Sequence, residues 1–265
     1  MKAYLSYWSQ GYRKKPDEFC LNMHKVCLYY LKKLYGEVHL ISDSCSHKYF
    51  KALSFDTFST SLDNVPKQYS QIWSLGKIYA VLEILKKGDP FIHVDYDVLL
   101  SENVRDKFLH SQVFAQSIEP NSYQWYEIDK FKANCPNWHV VGKTKYRDAF
   151  NMGFFGGHNL EFMANYAKAV LDLVLDPANT DFWLTYNGFS QSHFKTVIAE
   201  QFVFGAVSNL ENQKVDTLYK DWASEAQAQQ EKYVHLMALK HWERPEMERR
   251  YKLMTEMLQL TRSNT

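Results

Sequence analysis

Short apolar runs alternate with longer amphipathic runs along the first hundred residues of the chain. The strand-like runs cover residues 3–8, 38–42, 55–58 and 91–94. Between them, residues 16–34 and 72–85 repeat apolar side chains at the spacing of a helix. Strands separated by helices predict a mainly parallel sheet whose crossover connections are right-handed. The first half of the chain therefore predicts an α/β fold.

The second half of the chain mixes the two kinds of pattern. Residues 113–118 predict a strand that leads to Glu119, and residues 233–239 predict a last strand. Residues 160–175 and 194–207 predict helices, because their apolar positions recur every three or four residues. The predicted elements fit one domain with a mixed sheet.

Two segments do not fit this alternation. Residues 121–150 form a long polar and aromatic stretch, which we expect to be irregular and to close over a ligand as a lid. Residues 243–265 have a helical pattern. We predict that they form a C-terminal helical tail outside a single domain of residues 1–242.

The composition of the 265-residue chain limits its possible functions. Hydrophobic residues make up 46% of it, enough to bury the core of one large domain. Its 31 basic and 30 acidic residues give a net charge of +1, which gives no support to nucleic-acid binding. Four cysteines without CxxC spacing, the lack of a signal-peptide pattern and the lack of a membrane-length apolar run predict a cytoplasmic protein. At most, the tail would contact a membrane surface.

The most informative motif is Asp95-Tyr96-Asp97, which directly follows the apolar run 91–94. Because side chains along an extended chain alternate between its two sides, both carboxylates project to the same side. Two carboxylates that close repel each other, and both stay ionised readily only when a cation beside them offsets the repulsion. Mg²⁺ and Mn²⁺ prefer oxygen ligands and share them with phosphates. The motif therefore predicts a site for a divalent metal ion and a diphosphate.

Other polar or aromatic residues follow the neighbouring strands of the predicted sheet. Ligands of such sheets bind beyond the carboxyl ends of the strands. This edge would carry Tyr7, Trp8 and Ser9 at the end of the first strand, Asp43 after the second, and Asp95 and Asp97 after the fourth. We expect these residues to lie around the same ligand.

Four motifs, taken in their order along the chain, are more specific than any one of them. They are the Asp95-Tyr96-Asp97 triplet, the helix around Lys77, the segment from Asn151 to Gly157 and the segment from His235 to Trp242. Together they resemble those of GT-A fold nucleotide-sugar glycosyltransferases. The likeness is greatest to the glycogenin and bacterial lipopolysaccharide galactosyltransferase group, and it spans residues 2–242.

The resemblance implies a fold and an activity. The fold would be GT-A, a Rossmann-like, mixed but mainly parallel sheet flanked by helices, here with a C-terminal helical extension. The activity would be that of a metal-dependent, hexosyltransferase-like enzyme. It would move a sugar from a UDP-sugar to a glycan or another hydroxyl acceptor, as in polysaccharide biosynthesis, with Mn²⁺ or Mg²⁺ as cofactor.

The resemblance also implies metal ligands and donor contacts. Asp95, Asp97 and His235 would hold the ion, while Lys77 and Lys240 would contact the donor. The edge residues would complete the donor site: Tyr7, Trp8, Ser9, Asp43 and Asp95.

The segment His235-Leu236-Met237-Ala238-Leu239-Lys240-His241-Trp242 departs from the family pattern in three ways. The spacing from His to Lys is one residue shorter, Ala238 replaces a glycine and His241 replaces a proline. These departures bear most on the donor contact expected of Lys240.

The resemblance places three residues at the reacting sugar. The Asn151 amide would reach the hydroxyls of the donor sugar, and Glu200-Gln201 resembles a pair that lies beneath it. A carboxylate there could orient the acceptor, stabilise positive charge on the sugar or act as a base. Glu119 competes with Glu200 for this role. The Glu200-Gln201 pair favours retention of the anomeric configuration, whereas the Phe154-Phe155-Gly156-Gly157 segment resembles transferases of both outcomes.

Three other functions were compared with this one. A phosphohydrolase with an Asp-x-Asp motif would have Thr or Val two positions beyond the second Asp, where this chain has Leu99, so it is disfavoured. A sugar nucleotidyltransferase would carry a basic, glycine-rich loop after the first strand, and residues 7–15 match that pattern only in part. A carbohydrate-binding or nucleotide-sugar-binding protein without turnover agrees with the altered His motif.

Overall fold

The computed structural model describes residues 1–12, 15–100, 102–139, 148–221 and 234–235. Several sequence predictions lie outside the described residues. They are the donor contact of Lys240, the helical tail 243–265 and the last strand apart from residues 234–235. These predictions and the domain boundary at residue 242 therefore stay predictions.

Nine strands occur in the described chain. They are β1 Lys2–Tyr7, β2 Val38–Ser42, β3 Thr57–Ser59, β4 Phe91–Val94, β5 Val98–Leu99, β6 Phe114–Glu119, β7 Ala149–Gly157, β8 Asp216–Tyr219 and β9 Val234–His235. Seven of them form one sheet in the order β3-β2-β1-β4-β7-β6-β8, while β5 and β9 form a separate two-stranded ribbon.

The large sheet is mixed but mainly parallel. β1 pairs in parallel with β2 and β4, β2 with β3, and β6 with β8. Only β7 runs against its neighbours, since its pairings with β4 and β6 are antiparallel. The predicted fold class, a mixed and mainly parallel sheet flanked by helices, is confirmed.

Helices connect the strands and cover both faces of the sheet. In the first half they are Ser9–Tyr12, Glu18–Tyr35, Ser44–Phe50, Ser74–Leu85 and Glu102–Phe108. In the second half they are Ser122–Trp125, Ile128–Asn134, Leu160–Val174, Thr180–Thr185, Phe194–Val197 and Val203–Leu210, with a π-helix over Ile198–Phe202. Short 3₁₀ turns lie at Ser61–Asn64, Lys67–Tyr69 and Pro177–Asn179.

The core consists of two apolar clusters on opposite faces of the sheet. Successive strand residues point to opposite faces, and along β1 Tyr4 packs in one cluster while Leu5 packs in the other. On β7, Phe155 and Phe154 divide between the same two clusters. The sheet is therefore buried on both faces, which leaves its strand ends and loops to form a site.

The prediction that residues 121–150 are irregular was wrong for much of the segment. Helices Ser122–Trp125 and Ile128–Asn134 lie within it, and β7 begins at Ala149. Asn121 and Glu127, with φ of 61° and 53°, adopt left-handed conformations that turn the chain just before each helix. Because these helices are short and begin at polar turn residues, the sequence shows no helical periodicity by which to predict them.

Other differences concern element boundaries. The predicted helix 194–207 is interrupted by the π-helix Ile198–Phe202 and continues to Leu210. Gly156 and Gly157 belong to β7 and pair with Ile92 and Phe91. A Cβ atom at Gly156 would lie 2.9 Å from the carbonyl carbon of Phe91, so this strand pairing requires glycine.

Two further properties concern the cysteines and the helices. All four cysteines, Cys20, Cys27, Cys45 and Cys135, are free thiols. Among the described residues, every helix is too short or too polar to cross a membrane. Cytoplasmic localisation stays a prediction.

Candidate active site

The Asp95-Tyr96-Asp97 segment lies between the large sheet and the small ribbon. It follows β4 and makes a tight turn, in which the Val98 N–H donates to the Asp95 carbonyl oxygen over 3.0 Å. The Asp95 N–H donates to the carbonyl oxygen of Gly153 on β7 over 2.8 Å. The turn directs the chain into β5, whose Val98 pairs with His235 of β9. This pairing places His235 beside the two aspartates.

Asp95, Asp97 and His235 form a group that could hold a metal ion. One ligand atom from each lies within 4.8 Å of the others, and His235 Nε2 is 3.7 Å from Asp97 Oδ1. All three side chains are partly buried. Two carboxylate oxygens and an imidazole nitrogen form a donor set that suits Mn²⁺ and also Mg²⁺. The three metal ligands expected from the sequence are therefore brought together.

The orientation of His235 is fixed by a residue that sequence reasoning missed. Its Nδ1 lies 2.8 Å from the side-chain oxygen of Gln116 on β6. An amide oxygen only accepts, so Nδ1 carries the proton and Nε2 keeps its lone pair on the side of Asp97. Metal-binding histidines are commonly held in this tautomer by an acceptor on the other nitrogen.

Gly153 provides the space for this arrangement. A Cβ atom there would lie 2.5 Å from His235 Cε1 and 2.7 Å from His235 Nδ1, and it would also collide with the Gln116 side chain. The Gly153 N–H donates to Asn151 Oδ1 over 3.0 Å, which orients the Asn151 side chain. Gly153 is therefore required for space, and Asn151 is held in place by the Gly153 backbone.

Lys77, on the helix Ser74–Leu85, is buried between two carboxylates. Its Nζ lies 2.9 Å from Asp95 Oδ1 and 2.6 Å from Glu200 Oε1, and it donates to the Met152 carbonyl oxygen over 3.2 Å. Its side chain is only 6% exposed. Burial lowers the pKa of Lys77, but Asp95 and Glu200 outweigh that effect and raise the pKa above its usual value. Lys77 is therefore a permanent cation within the site.

The carboxylates nearby have raised pKa values. Burial, with a smaller contribution from Asp95, raises the pKa of Asp97 to about 7. Burial also raises the pKa of Glu200 to about 7, although Lys77 opposes this. The pKa of Asp95 is raised by burial as well, again against the effect of Lys77.

The charge of this cluster is suited to one divalent cation. Three carboxylates lie here, those of Asp95, Asp97 and Glu200, while Lys77 is the ammonium that pairs with two of them. The ionised cluster then retains two negative charges. A divalent ion beside Asp95 and Asp97 would balance them and hold both aspartates ionised at neutral pH. The residues present therefore fit the metal that the sequence predicted.

Glu200 and Gln201 lie on the π-helix Ile198–Phe202, and both line the pocket described below. A π-helix widens the turn by one residue, and such turns are frequent at functional sites. The Tyr166 hydroxyl donates to the Glu200 backbone carbonyl over 3.2 Å. The second carboxylate oxygen of Glu200, Oε2, accepts no hydrogen bond from any residue that the structure describes.

Glu119 forms a second polar group beside Glu200. Asn151 Nδ2 donates to Glu119 Oε1 over 3.0 Å, and the Tyr126 hydroxyl contacts both Glu119 Oε2 and the Gln201 side-chain amide. The Gln201 atom in this contact is the amide oxygen Oε1, which only accepts, so the one phenolic proton of Tyr126 is donated either to Gln201 or to Glu119. Burial raises the pKa of Glu119 to about 7. The two carboxyls that competed in the sequence therefore belong to one connected site.

These groups line one pocket of about 1220 Å³. Its inner wall is formed by the polar residues already described: Lys77, Asp95, Asp97, Glu119, Asn151, Glu200, Gln201 and His235. The pocket is large enough for a ligand of two or more connected rings, since most small-molecule sites measure a few hundred to about 1000 Å³.

The sequence matches, over residues 1–261, the model of a family described as a family of unknown function, DUF6734. The chain belongs to this family. No curated protein matches the sequence of this DUF6734 member.

Solved structures with a similar chain course include two transferases. The apo crystal structure of mouse xyloside xylosyltransferase 1 is 14% identical, with a TM-score of 0.43 over 82% of this chain and 85% of that one. A galactosyltransferase, LgtC, in complex with donor and acceptor sugar analogues, is 10% identical, with a TM-score of 0.40 over 79% of this chain and 70% of that one. Scores this low carry no weight for substrate or mechanism.

Four of the predicted donor residues lie away from the pocket wall. Tyr7 is fully buried and packs edge-on against His24 and Phe50. Trp8 is buried against Gly76, where a Cβ atom would lie 2.7 Å from the Trp8 Cβ. Both residues hold helices against the sheet, and their donor contacts stay predictions.

Ser9 and Asp43, the other two, bind each other. The Ser9 N–H donates to Asp43 Oδ2, and Asp43 Oδ1 accepts the Ser46 N–H at the start of the helix Ser44–Phe50. Both carboxylate oxygens of Asp43 are thus engaged by backbone groups, which is a helix-capping role. The donor contacts predicted for this pair also remain untested.

Proposed function

We propose that this protein is a metal-dependent glycosyltransferase that moves a sugar from a nucleotide-sugar donor, a UDP-sugar, to a hydroxyl acceptor. One observation carries the proposal. The Asp95, Asp97 and His235 ligand group and the buried Glu200 carboxylate line the same pocket. A metal site beside an acidic group that faces a large pocket supports transfer of a group from a diphosphate.

In this proposal each residue of the inner wall has a defined task. Asp95, Asp97 and His235 hold Mn²⁺ or Mg²⁺, which when bound supplies positive charge to the donor diphosphate. Lys77 favours the ionised forms of Asp95 and Glu200 and holds both in position through its contacts of 2.9 and 2.6 Å. Because Lys77 is enclosed by these partners, we assign it to positioning rather than to direct donor contact.

The reaction breaks the bond between the anomeric carbon and the diphosphate oxygen, whose electron pair leaves with the phosphate. The acceptor oxygen forms the new bond to that carbon and loses its proton. Positive charge that develops on the sugar is stabilised by the Glu200 carboxylate, while Asn151 and Gln201 bind sugar hydroxyls. Glu119, whose pKa is about 7, is able to take up the acceptor proton.

We also propose that the anomeric configuration is retained and that the donated sugar is a hexose or similar pyranose. The basis is the resemblance of Glu200-Gln201 to the pair found in the retaining galactosyltransferase group. Nuclear magnetic resonance of the product, which distinguishes an axial from an equatorial anomeric proton, tests this part separately.

The direct test is a screen of sugar nucleotides for Mn²⁺-dependent release of UDP. We expect release from at least one UDP-sugar, and its loss in Asp97→Asn, which removes a metal ligand without removing core packing. The matched control is Asp172→Asn, since Asp172 is an exposed surface residue paired with Lys168. Release of UDP that is equal in wild type and Asp97→Asn would refute the assignment of the metal site.

The same assay separates the alternatives. A sugar nucleotidyltransferase would release pyrophosphate from UTP and a sugar phosphate, and it would not release UDP. A binding protein without turnover would be stabilised by UDP and Mn²⁺ but would release nothing from any UDP-sugar.

A further inference from the structure

The pocket has a second wall whose chemistry differs from that of the carboxylate wall. We call it the outer wall; its residues are Trp125, Tyr186, Asn187, Phe189, Gln191 and His193. The transfer chemistry proposed above uses none of them. The composition and rigidity of the outer wall point to a particular class of ligand.

Trp125 is the most unusual residue of the outer wall. Its side chain is 65% exposed, and of the large apolar side chains that are exposed in the described chain, the others are Leu109 and Leu210, which lie away from the pocket. The face of an indole ring carries partial negative charge. It attracts the weakly positive C–H groups that cover one face of a pyranose ring, and it offers a large flat area for contact.

The rest of the outer wall comes from the loop 186–193, between helices Thr180–Thr185 and Phe194–Val197. Its sequence, Tyr-Asn-Gly-Phe-Ser-Gln-Ser-His, contains no Asp, Glu, Lys or Arg. Amide and hydroxyl side chains both donate and accept hydrogen bonds, as sugar hydroxyls do. The loop is therefore suited to an uncharged ligand that is rich in hydroxyl groups.

The loop is held in place before any ligand binds. Its Tyr186 ring stacks on Phe182 at a centroid distance of 5.2 Å and packs edge-on against Phe189 at 5.4 Å. Lys130 Nζ donates to the Gly188 carbonyl oxygen over 3.0 Å, and the Ser190 N–H donates to Glu127 Oε2 over 2.9 Å. A surface fixed in this way loses little conformational entropy on binding.

The outer wall adjoins the reacting groups. Trp125 directly precedes Tyr126, whose hydroxyl contacts Glu119 and Gln201. Trp125, Glu119 and Gln201 line the same pocket, so a ring that rests on the Trp125 indole would lie in the cavity that holds these side chains. The acceptor would therefore bind in the same pocket as Glu119, the carboxyl group that would take its proton.

We propose that the acceptor is itself a carbohydrate, and that one of its pyranose rings stacks on Trp125 while the loop 186–193 binds its hydroxyls. The role of this carbohydrate as an acceptor rests on the proposed glycosyltransferase function. The carbohydrate-binding site itself is tested without any donor or turnover.

The test is saturation-transfer nuclear magnetic resonance on the full chain, without donor or metal. The probes are lactose, maltotriose, cellotriose, xylobiose and chitobiose. We expect at least one of them to bind. Its affinity should fall about tenfold in Trp125→Ala and only in part in Trp125→Phe, which retains an aromatic face. Leu210→Ala, which removes an exposed apolar side chain elsewhere, should bind as the wild type does.

Two outcomes would overturn the inference. One is the absence of saturation transfer to all five oligosaccharides, and the other is equal affinity of wild type and Trp125→Ala. Asp97→Asn separates this inference from the proposed function, because it should bind the oligosaccharide normally while it releases no UDP. Release of UDP without any oligosaccharide binding would refute the carbohydrate acceptor alone.

Discussion

Lys77 Nζ lies 2.6 Å from Glu200 Oε1, so a buried ion pair joins the helix Ser74–Leu85 to the π-helix Ile198–Phe202. A second contact lies beside this junction: the Ser74 hydroxyl donates over 3.0 Å to the carbonyl oxygen of Thr196, in the preceding helix Phe194–Val197. The ion pair thus fixes where Glu200 stands relative to Asp95, the other partner of Lys77. Loss of this lysine should affect both stability and metal binding.

Lys77→Met should lower the free energy of unfolding by about 3–5 kcal/mol, because it leaves Asp95 and Glu200 buried without their cation. Added Mn²⁺ should recover part of the loss, since it supplies positive charge to Asp95. Urea unfolding with and without Mn²⁺ measures both effects. Lys168→Met, which removes an exposed helical ion pair with Asp172, should change stability by less than about 0.5 kcal/mol. Equal effects of the two variants would contradict the role of Lys77.

Gly153→Ala should weaken Mn²⁺ binding about 10–100-fold while the protein remains folded. The new methyl group would displace His235 and Gln116, with which it would collide. Isothermal titration with Mn²⁺ measures the affinity, and circular dichroism checks the fold. An affinity equal to that of the wild type would show that His235 is not a ligand in the position described.

Gln116→Leu should also weaken Mn²⁺ binding, by about tenfold or more, because His235 Nδ1 loses the acceptor that fixes its tautomer. Gln68→Leu serves as the control, since Gln68 is exposed on the 3₁₀ turn Lys67–Tyr69 and is not among the residues that line the pocket. The two variants are compared by the same Mn²⁺ titration. If Gln116→Leu binds as tightly as Gln68→Leu, the hydrogen bond does not orient the ligand.

Glu119→Gln should flatten the dependence of stability on pH between about 4.5 and 7. Burial raises the folded-state pKa of Glu119 to about 7, so the folded protein binds more protons than the unfolded chain in this window. The metal-free wild type therefore loses stability as the pH rises through it. The contribution of Glu119 is up to about 3 kcal/mol. Urea unfolding at pH 5 and pH 8 should show a smaller difference for the variant, and an unchanged difference would place the Glu119 pKa elsewhere.

Mn²⁺ should raise the melting temperature of the wild type and leave that of Asp97→Asn nearly unchanged. A ligand present at 100 times its dissociation constant stabilises the folded state by about 2.7 kcal/mol. His235→Ala should respond only at higher Mn²⁺ concentration, because it retains the two aspartates. Thermal unfolding over a Mn²⁺ series measures all three proteins. Identical curves for wild type and His235→Ala would remove His235 from the ligand set.

The sequence allowed the central features of the site to be predicted because their signals are local. Asp95 and Asp97 follow an apolar strand that is easily recognised, and Lys77 lies on a strongly periodic helix. Those patterns depend on neighbours a few residues away, so they survive without knowledge of the tertiary fold. Helix and strand positions in the first half were predicted for the same reason.

The parts that could not be predicted depend on contacts between distant segments. The Gln116 side chain meets His235 only because β6 and the β5–β9 ribbon lie on either side of Gly153. The π-helix has no periodic signal of its own, since one additional residue in a turn changes only the phase of the apolar pattern. Asp43 ended a strand as expected, but its carboxylate caps a helix. The local pattern identified Asp43 as a residue at the end of a strand, but it did not identify the backbone groups that its carboxylate binds.

The π-helix Ile198–Phe202 has one more consequence. Its additional residue changes the direction in which the side chains after it point. Val197 and Val203, on either side of it, both pack into the core, while Glu200 between them lines the pocket. The apolar contacts of this segment with the core therefore come from Val197 and Val203, while its carboxylate in the pocket comes from Glu200. Substitutions at Gln201 can change what the pocket does without altering the apolar residues that keep the segment in place, whereas Glu200 also carries the ion pair to Lys77.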